Sequence, residues 1–111
     1  MDARLLQLAE LLLLIERELQ VLGWWSAQQP DAEALASPEP FCVDTLSFEE
    51  WLQWIFLPRM KAIIEQGGQL PAVSGVTQMG EMVYTDRARQ AGALLLLLGA
   101  FDQLISGVPH P

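Results

Sequence analysis

Cysteine and histidine are almost absent from this chain of 111 residues, which contains one of each. The single Cys42 cannot form a disulfide within the chain, and no basic segment leads into an apolar signal region at its start, so we expect a reducing, cytoplasmic location. The single His110 lies among the last residues, which excludes the Glu-x-x-His pairs of a carboxylate-bridged metal site in a helical bundle. We therefore expect neither a metal nor a cofactor.

Positive charge is also scarce. Six lysines and arginines stand against fourteen aspartates and glutamates, which gives a formal net charge of -8, and no basic residue occurs between Arg17 and Arg59. Binding to a phosphate backbone or to an anionic membrane depends on lysine and arginine, so we predict no direct binding to nucleic acid and no association with membranes. A basic protein is the kind of partner that this charge favours.

Catalytic motifs are missing as well. No glycine-rich phosphate loop, nucleophile elbow or paired-cysteine metal pattern occurs in the sequence. The apolar run at residues 91–101 is far shorter than the roughly 20 residues that cross a bilayer. The sequence therefore names no catalytic, cofactor-binding or metal-binding residue. We predict a protein without enzymatic activity, and an enzyme that uses a carboxylate site is the alternative.

Hydrophobic residues, in contrast, make up 51% of the chain, and they recur at the three- and four-residue spacing of helices. A chain of this length forms one domain with a packed core. We predict an all-α four-helix bundle with a long first connection and a short third helix, in which residues 1–107 form the domain and 108–111 a flexible tail. The predicted helices cover residues 3–22, 47–66, 74 or 77 to 84, and 85 or 86 to 106.

The second predicted helix has well-marked ends. Ser47 followed by Glu50 is a capping box, in which the two side chains bond reciprocally to each other's backbone amides. Gly67 supplies the left-handed residue that ends a helix. Between these ends, Pro58 lacks a backbone donor and crowds the turn before it, so we expect the helix to bend or split near Leu57.

The connection between the first two helices, residues 24–46, is longer than the roughly two to eight residues usual in helical bundles. Prolines bracket its middle, which favours extended backbone. One interpretation is that apolar residues at its two ends fasten it across the bundle. The other is a mobile acidic loop that binds a partner. The predicted anchors are Trp24, Trp25, Phe41, Val43 and Leu46.

Two charged residues fall on the apolar sides of predicted helices. On a straight helix with about 100° per residue, Arg59 lies within the core arc of the second helix and Glu16 within that of the first. A buried guanidinium needs a carboxylate partner, so we predict an internal ion pair between Glu16 and Arg59. The alternatives are a ligand-binding arginine and a kink at Pro58 that turns Arg59 to solvent. The core arc of the second helix consists of Phe48, Leu52, Ile55 and Ile63.

A second apolar stripe lies on the opposite side of the second helix. It forms a candidate partner surface, which consists of Trp54, Leu57, Lys61 and Ile64. If Trp25 and Phe41 of the connection fold over this stripe, it is covered within the molecule. If they do not, Trp54 anchors a protein partner or a second copy of the chain.

The sequence between residues 40 and 60 resembles the signature of the YqcC-like family, small helical bacterial proteins of unknown function. The matching positions are Pro40, Phe41, Asp44, Thr45, Leu46, Trp51, Leu52, Gln53, Trp54, Leu57, Pro58, Arg59 and Met60. The resemblance implies a cytoplasmic four-helix bundle, whose gene in some bacteria lies beside that of a tRNA pseudouridine synthase. It implies no catalytic residue, because none is established for the family.

These observations favour a non-catalytic helical-bundle interaction protein, and the resemblance adds modulation of an RNA-modifying enzyme such as a tRNA pseudouridine synthase. The alternative is a small-molecule binder or enzyme with a polar site around Glu16, Arg59 and Glu81. A deep cavity lined by those three residues would favour the alternative. A filled core with an uncovered Trp54 would favour the interaction protein.

Overall fold

The computed structural model describes residues 4–70 and 75–106. All the regular structure in those residues is helical, which confirms the predicted all-α fold. The helices are α1 (Leu5–Val21), α2 (Ala32–Leu35), α3 (Phe48–Trp51), α4 (Leu57–Gln66), α5 (Val76–Val83) and α6 (Gly92–Ser106). Short 3-10 turns occupy Pro40–Cys42 and Thr85–Arg87. The predicted tail, residues 108–111, lies outside the described residues.

A π-helical turn, Leu52–Phe56, joins α3 to α4, so residues 48–66 form one continuous helix, which we call the central helix. Its ends are the predicted ones. Ser47 Oγ accepts a hydrogen bond from the Glu50 amide at 3.2 Å, and Glu50 Oε1 accepts one from the Ser47 amide at 2.9 Å. Gly67 ends the helix in the left-handed conformation, with φ 64°, which glycine adopts without steric cost.

The π turn changes which residues of the central helix face the core. The Leu57 amide donates to the Leu52 carbonyl five positions back, so this turn contains one residue more than an α-helical turn. Every later residue is therefore rotated around the helix axis by about 100° from the position that it would have in a straight α-helix. Met60, which is 8% exposed, therefore takes the core position that a straight helix assigns to Arg59. Arg59 is exposed, so the predicted burial of Arg59 is wrong.

Pro58 accounts for the place of the π turn. It has no amide hydrogen to donate to the Trp54 carbonyl four positions back, and its ring crowds that carbonyl. A wider turn directly before Pro58 relieves this crowding, so the helix continues instead of splitting near Leu57. Arg59 faces solvent, as the third interpretation predicts, but a π turn and not a kink at Pro58 is the cause.

The core lies between α1, the central helix and α6. α1 and α6 are antiparallel neighbours, because Arg4 Nη1 before α1 donates to the Leu104 and Ile105 carbonyls near the end of α6, at 2.7 and 3.0 Å. A cation at that end also suits the helix dipole. The buried residues of α1 and α6 are Leu8, Leu12, Ile15, Leu19, Leu94, Leu98, Phe101 and Ile105. None of the described helices is long and apolar enough to cross a membrane.

The N-terminal cap of α5 comes from α6. Asp102 Oδ2 accepts hydrogen bonds from the Thr77 amide at 2.9 Å and from the Thr77 hydroxyl at 2.6 Å. The prediction that Thr77 itself caps α5 is wrong, because a carboxylate on the neighbouring helix satisfies the free amide instead. The other predicted cap, Ser74, lies outside the described residues.

The last helix begins later than predicted, at Gly92 and not at Thr85 or Asp86. The Thr85 hydroxyl donates to the Met82 carbonyl at 2.9 Å. Thr85 therefore satisfies a free carbonyl at the end of α5 and does not cap the start of α6.

The first connection is fastened to the bundle near both ends, as the first interpretation predicts. Trp24 stacks on Tyr84 with ring centroids 5.0 Å apart, and Leu46 is 8% exposed. The partly buried anchors are Trp24, Trp25 and Phe41. The prediction for Val43 is wrong, since Val43 is 57% exposed and the neighbouring Cys42 occupies the buried place.

Tyr84 is fully buried, and its hydroxyl donates to Glu49 Oε1 at 3.3 Å. Arg87 completes this cluster. Its Nη1 lies 3.7 Å from Glu49 Oε2, and its guanidinium lies 4.8 Å from the centre of the Trp24 ring. Burial, and after it the neighbouring Glu49 carboxylate, raises the pKa of Tyr84 well above its usual range.

Tyr84 should make the protein less stable at alkaline pH. The unfolded chain releases the tyrosine proton at about pH 10, whereas the folded chain retains it, so ionisation favours the unfolded state. The stabilising contribution is complete below about pH 10 and is lost progressively above it. Tyr84 is the only tyrosine, so the tyrosinate absorbance should rise only as circular dichroism reports unfolding. Ionisation at about pH 10 in the folded protein would contradict this expectation.

Candidate functional site

A solvent-facing groove lies between α1 and the central helix, which run antiparallel; we call it the α1–α4 groove. It consists of a wide hollow of about 500 Å³ and a narrow hollow of about 220 Å³, which have Lys61 as a common wall. The narrow hollow is lined by Ala9, Leu12, Leu13, Lys61, Ile64 and Glu65. The wide hollow is lined by Glu16, Trp25, Ser26, Ala27, Gln53, Trp54, Leu57, Pro58 and Lys61.

Residues of the first connection form one wall of the wide hollow, and Gln53 holds this wall in place. Gln53 is 5% exposed; its Oε1 accepts a hydrogen bond from the Ser26 amide at 2.8 Å, and its Nε2 donates to the Ser26 carbonyl at 2.7 Å. This reciprocal pair holds the connection against the central helix. The connection therefore lines the hollow through Trp25, Ser26 and Ala27 and leaves it open to solvent, while Phe41 packs elsewhere, against Trp51.

Trp54 forms another wall of the wide hollow. Its side chain is partly buried, yet the indole Nε1 is enclosed and has no hydrogen-bond acceptor among the described residues. An enclosed donor without an acceptor costs roughly 1–3 kcal/mol.

Glu16 pairs with Lys61 across the groove, between the two hollows, with Oε1 and Nζ 2.9 Å apart. The predicted ion pair of Glu16 with Arg59 is wrong, because the π turn places Arg59 on the exposed side of the central helix. The side chains of Lys61 and Glu16 are 40% and 29% exposed, and a pair this open to solvent contributes at most about 1 kcal/mol. The pair is a solvent-accessible salt bridge, and it adds little to the stability of the core.

The three residues of the predicted polar site do not meet. Glu16 lies in the groove, Arg59 is exposed on the central helix, and Glu81 is exposed on α5. Glu81 lines a separate hollow of about 380 Å³, next to Thr77 and its cap Asp102. The prediction of one polar site is wrong because α5 packs against α6, whereas the groove belongs to α1 and the central helix.

The four residues of the predicted partner surface do not all lie on one surface. Trp54, Lys61 and Ile64 line the groove, but Leu57 is 1% exposed and belongs to the core. The π turn is again the reason, since Leu57 is the first residue after it. Leu57 thus forms the floor of the wide hollow and offers a partner almost no surface.

The sequence interpretation missed the α1 side of the groove. Leu13 is 61% exposed there, and Ala9 lies one turn before it. The signal was present, because α1 has leucines beyond its core stripe, but such leucines are equally compatible with further neighbours inside the bundle. Gln53 was also missed as the residue that holds the connection, since its two hydrogen bonds reach Ser26 across 27 positions.

The groove has the composition of a binding surface. Most of its walls are apolar, and its charged residues are Glu16, Lys61 and Glu65. Within residues 4–70 and 75–106, no group of histidine, cysteine, aspartate and glutamate side chains is suited to hold a metal ion. The arrangement can take up apolar side chains of a partner and pair a charge at its centre.

A protein-family profile described as "DUF446: tRNA pseudouridine synthase C" matches residues 7–104. An uncharacterised protein of Haemophilus influenzae is 55% identical over 53 residues, which are 48% of this chain and 50% of that protein. A protein of Pectobacterium carotovorum named tRNA pseudouridine synthase C is 49% identical over 57 residues, which are 51% of this chain and 15% of that protein. The chain therefore spans half or less of the length of these two relatives.

Similarity to the Escherichia coli protein YqcC is more extensive. That protein, also uncharacterised, is 33% identical over 82 residues, which are 74% of this chain and 75% of YqcC. A solution NMR structure of YqcC superposes with a TM-score of 0.84 at 26% identity, and the superposition covers 99% of this chain and 97% of YqcC. The two proteins therefore share the whole arrangement of helices.

Proposed function

Because this chain belongs to the DUF446 family of YqcC-like proteins, we propose that it is a non-catalytic interaction protein that binds a tRNA pseudouridine synthase and modulates it. The docking surface in this proposal is the α1–α4 groove. The observation that carries the proposal is the open, mostly apolar groove, which lies beside a separate buried hydrophobic core. Apolar side chains of a partner helix or loop would fill the two hollows.

The Pectobacterium relative supports the choice of partner. In that protein the similar segment makes up 15% of a chain that is named tRNA pseudouridine synthase C. Two domains in one chain meet at a high effective concentration, so even a weak contact between them is populated. A related bundle on a separate chain can make the same contact, provided that its own affinity is high enough.

The charge of the chain suits an RNA-binding partner. An enzyme that binds tRNA presents lysine and arginine to the phosphate backbone, and this chain has a net charge of -8. Opposite charges speed the encounter, and the apolar groove supplies the short-range contact. A bundle docked beside the RNA-binding face would alter the access of tRNA to the enzyme. The proposal places the protein in the bacterial cytoplasm, where tRNA is modified.

Ile64→Glu should weaken binding to the tRNA pseudouridine synthase C of the same organism by at least about tenfold. Ile64 is partly buried in the narrow hollow, and a carboxylate there would lose its hydration when an apolar partner group docks. Isothermal titration calorimetry at low and physiological salt measures the affinity, which added salt should lower. The matched control is Leu96→Glu, since Leu96 is 77% exposed on α6, and it should bind like the wild type.

Thermal unfolding of both variants establishes that each is folded. If the wild type does not bind the synthase even at low salt, the proposed partner is wrong. Tight binding of the bundle alone to tRNA would contradict the electrostatic argument. Equal weakening by Ile64→Glu and Leu96→Glu would show that added charge weakens binding wherever it is placed, and the groove would then have no special part.

A further inference from the structure

The outer face of α1 exposes an apolar surface that the described part of the chain does not cover. The core side of the helix is closed, with Leu8, Leu12, Ile15 and Leu19 at most 1% exposed. The opposite side carries Leu6 at 85%, Leu13 at 61%, Leu14 at 40% and Val21 at 70% exposure. The exposed Glu10 and Arg17 lie between them on the same face, so the face combines apolar and charged groups, as the contact surfaces of soluble proteins do.

The sequence of this face is self-complementary. Its midpoint lies between Leu13 and Leu14, and exposed residues at equal distances from the midpoint are either alike or opposite in charge. The exposed matching pairs are Leu6 with Val21, Gln7 with Gln20 and Glu10 with Arg17. Suppose that a second α1 packs antiparallel on this face, with the two midpoints opposite each other. Because both helices rise by the same amount per residue, each residue then lies at the same height as the residue of the other helix with which it is paired by the midpoint. Glu10 then lies level with Arg17 of the partner subunit.

We propose that a second copy of this chain packs on this face, with the two α1 helices antiparallel about a two-fold axis between Leu13 and Leu14. A two-fold interface joins the same surface of both copies, so it requires a surface that complements itself. The apolar residues and the two symmetric pairs of Glu10 with Arg17 meet that requirement. Parallel helices would instead place Glu10 beside Glu10 of the partner subunit. The proposal does not depend on a synthase, but Leu13 also lines the narrow hollow of the α1–α4 groove, so a dimer would cover part of that surface.

The contact is small. α1 has 17 residues, which corresponds to a length of about 26 Å. A contact between two helices of that length buries less than the roughly 1,200–2,000 Å² of a standard stable interface. The dimer should therefore form reversibly, with a dissociation constant in the micromolar range or above.

Sedimentation velocity over micromolar to millimolar concentrations tests the proposal. The sedimentation coefficient of the wild type should rise from that of a monomer to that of a dimer. Leu13→Glu should remain monomeric, because it places two carboxylates at the axis; Leu13 is exposed, so the fold should tolerate the change. The matched control Leu96→Glu, also on an exposed leucine, should dimerise like the wild type.

Reversal of charges tests the antiparallel direction. Glu10→Arg alone and Arg17→Glu alone should each weaken the dimer at least about fivefold, because each creates two like-charge pairs. The double variant Glu10→Arg with Arg17→Glu restores opposite charges and should dimerise like the wild type. A wild type that stays monomeric throughout, a dimer that survives Leu13→Glu, or a double variant as weak as the single ones would each overturn the proposal.

Discussion

Met60→Asp is expected to lower the free energy of unfolding by about 4 kcal/mol. Met60 is 8% exposed and packs in the core. The change removes roughly 1.5–3 kcal/mol of hydrophobic burial, and it also puts a carboxylate where little water reaches it, which is unfavourable for the charged form. The free energy of unfolding of a small domain is only roughly 5–15 kcal/mol. A loss of this size should therefore lower the melting temperature by roughly 15 °C.

Arg59→Asp is the matched control, with the same new side chain one position earlier. Arg59 is exposed, so this change should cost less than about 1 kcal/mol, chiefly through the lower helix propensity of aspartate. Thermal unfolding of the two variants tests the π turn directly, because a straight α-helix predicts the opposite order. If both variants lost the same free energy of unfolding, the assignment of Met60 to the core and Arg59 to the surface would be wrong.

Trp24→Ala should have the second largest effect, a loss of about 3 kcal/mol. The Trp24 ring stacks on Tyr84 at 5.0 Å, and the guanidinium of Arg87, which pairs with Glu49, lies 4.8 Å from the centre of the Trp24 ring. Truncation to alanine opens a cavity above Tyr84 and removes the cation–π contact. Urea unfolding measures the loss, and Tyr84 should then ionise at a lower pH than in the wild type.

Val43→Ala is the control for this prediction, because it shortens another apolar side chain of the same connection. Val43 is 57% exposed, so its loss should stay within about 0.5 kcal/mol. If Trp24→Ala also costs under about 1 kcal/mol, Trp24 does not fasten the connection to the bundle.

The ends of the central helix could be predicted because they depend on short-range bonds. Ser47, Glu50 and Gly67 each act on backbone groups within a few residues of themselves. The start of α5 could not be predicted in the same way. Its cap is Asp102, which lies 25 positions from Thr77 along the chain, and a cap of that kind exists only once two helices have packed.

The other feature that the sequence did not reveal is which residues of the central helix face the core after Pro58. Pro58 indicates a disturbance, but a bend, a break and a widened turn all relieve the same crowding. The packing of the next helical turn favours the widened turn, because it brings Met60 into the core in place of Arg59. The predictions for Arg59 and Leu57 failed for this reason. Glu16 does pair with a cation, but the wider turn makes that cation Lys61.

The pairing of α1 with α6 joins opposite ends of the described chain, and the hydrogen bond from Arg4 to Leu104 spans 100 positions. During translation, the apolar side of α1 leaves the ribosome long before α6 has been made. Until then the leucines of α1 lack their main neighbour, and exposed apolar segments of nascent chains bind chaperones or aggregate. The yield of folded protein in the cell should therefore depend on chaperone capacity more strongly than it does for bundles whose neighbouring helices are consecutive in sequence.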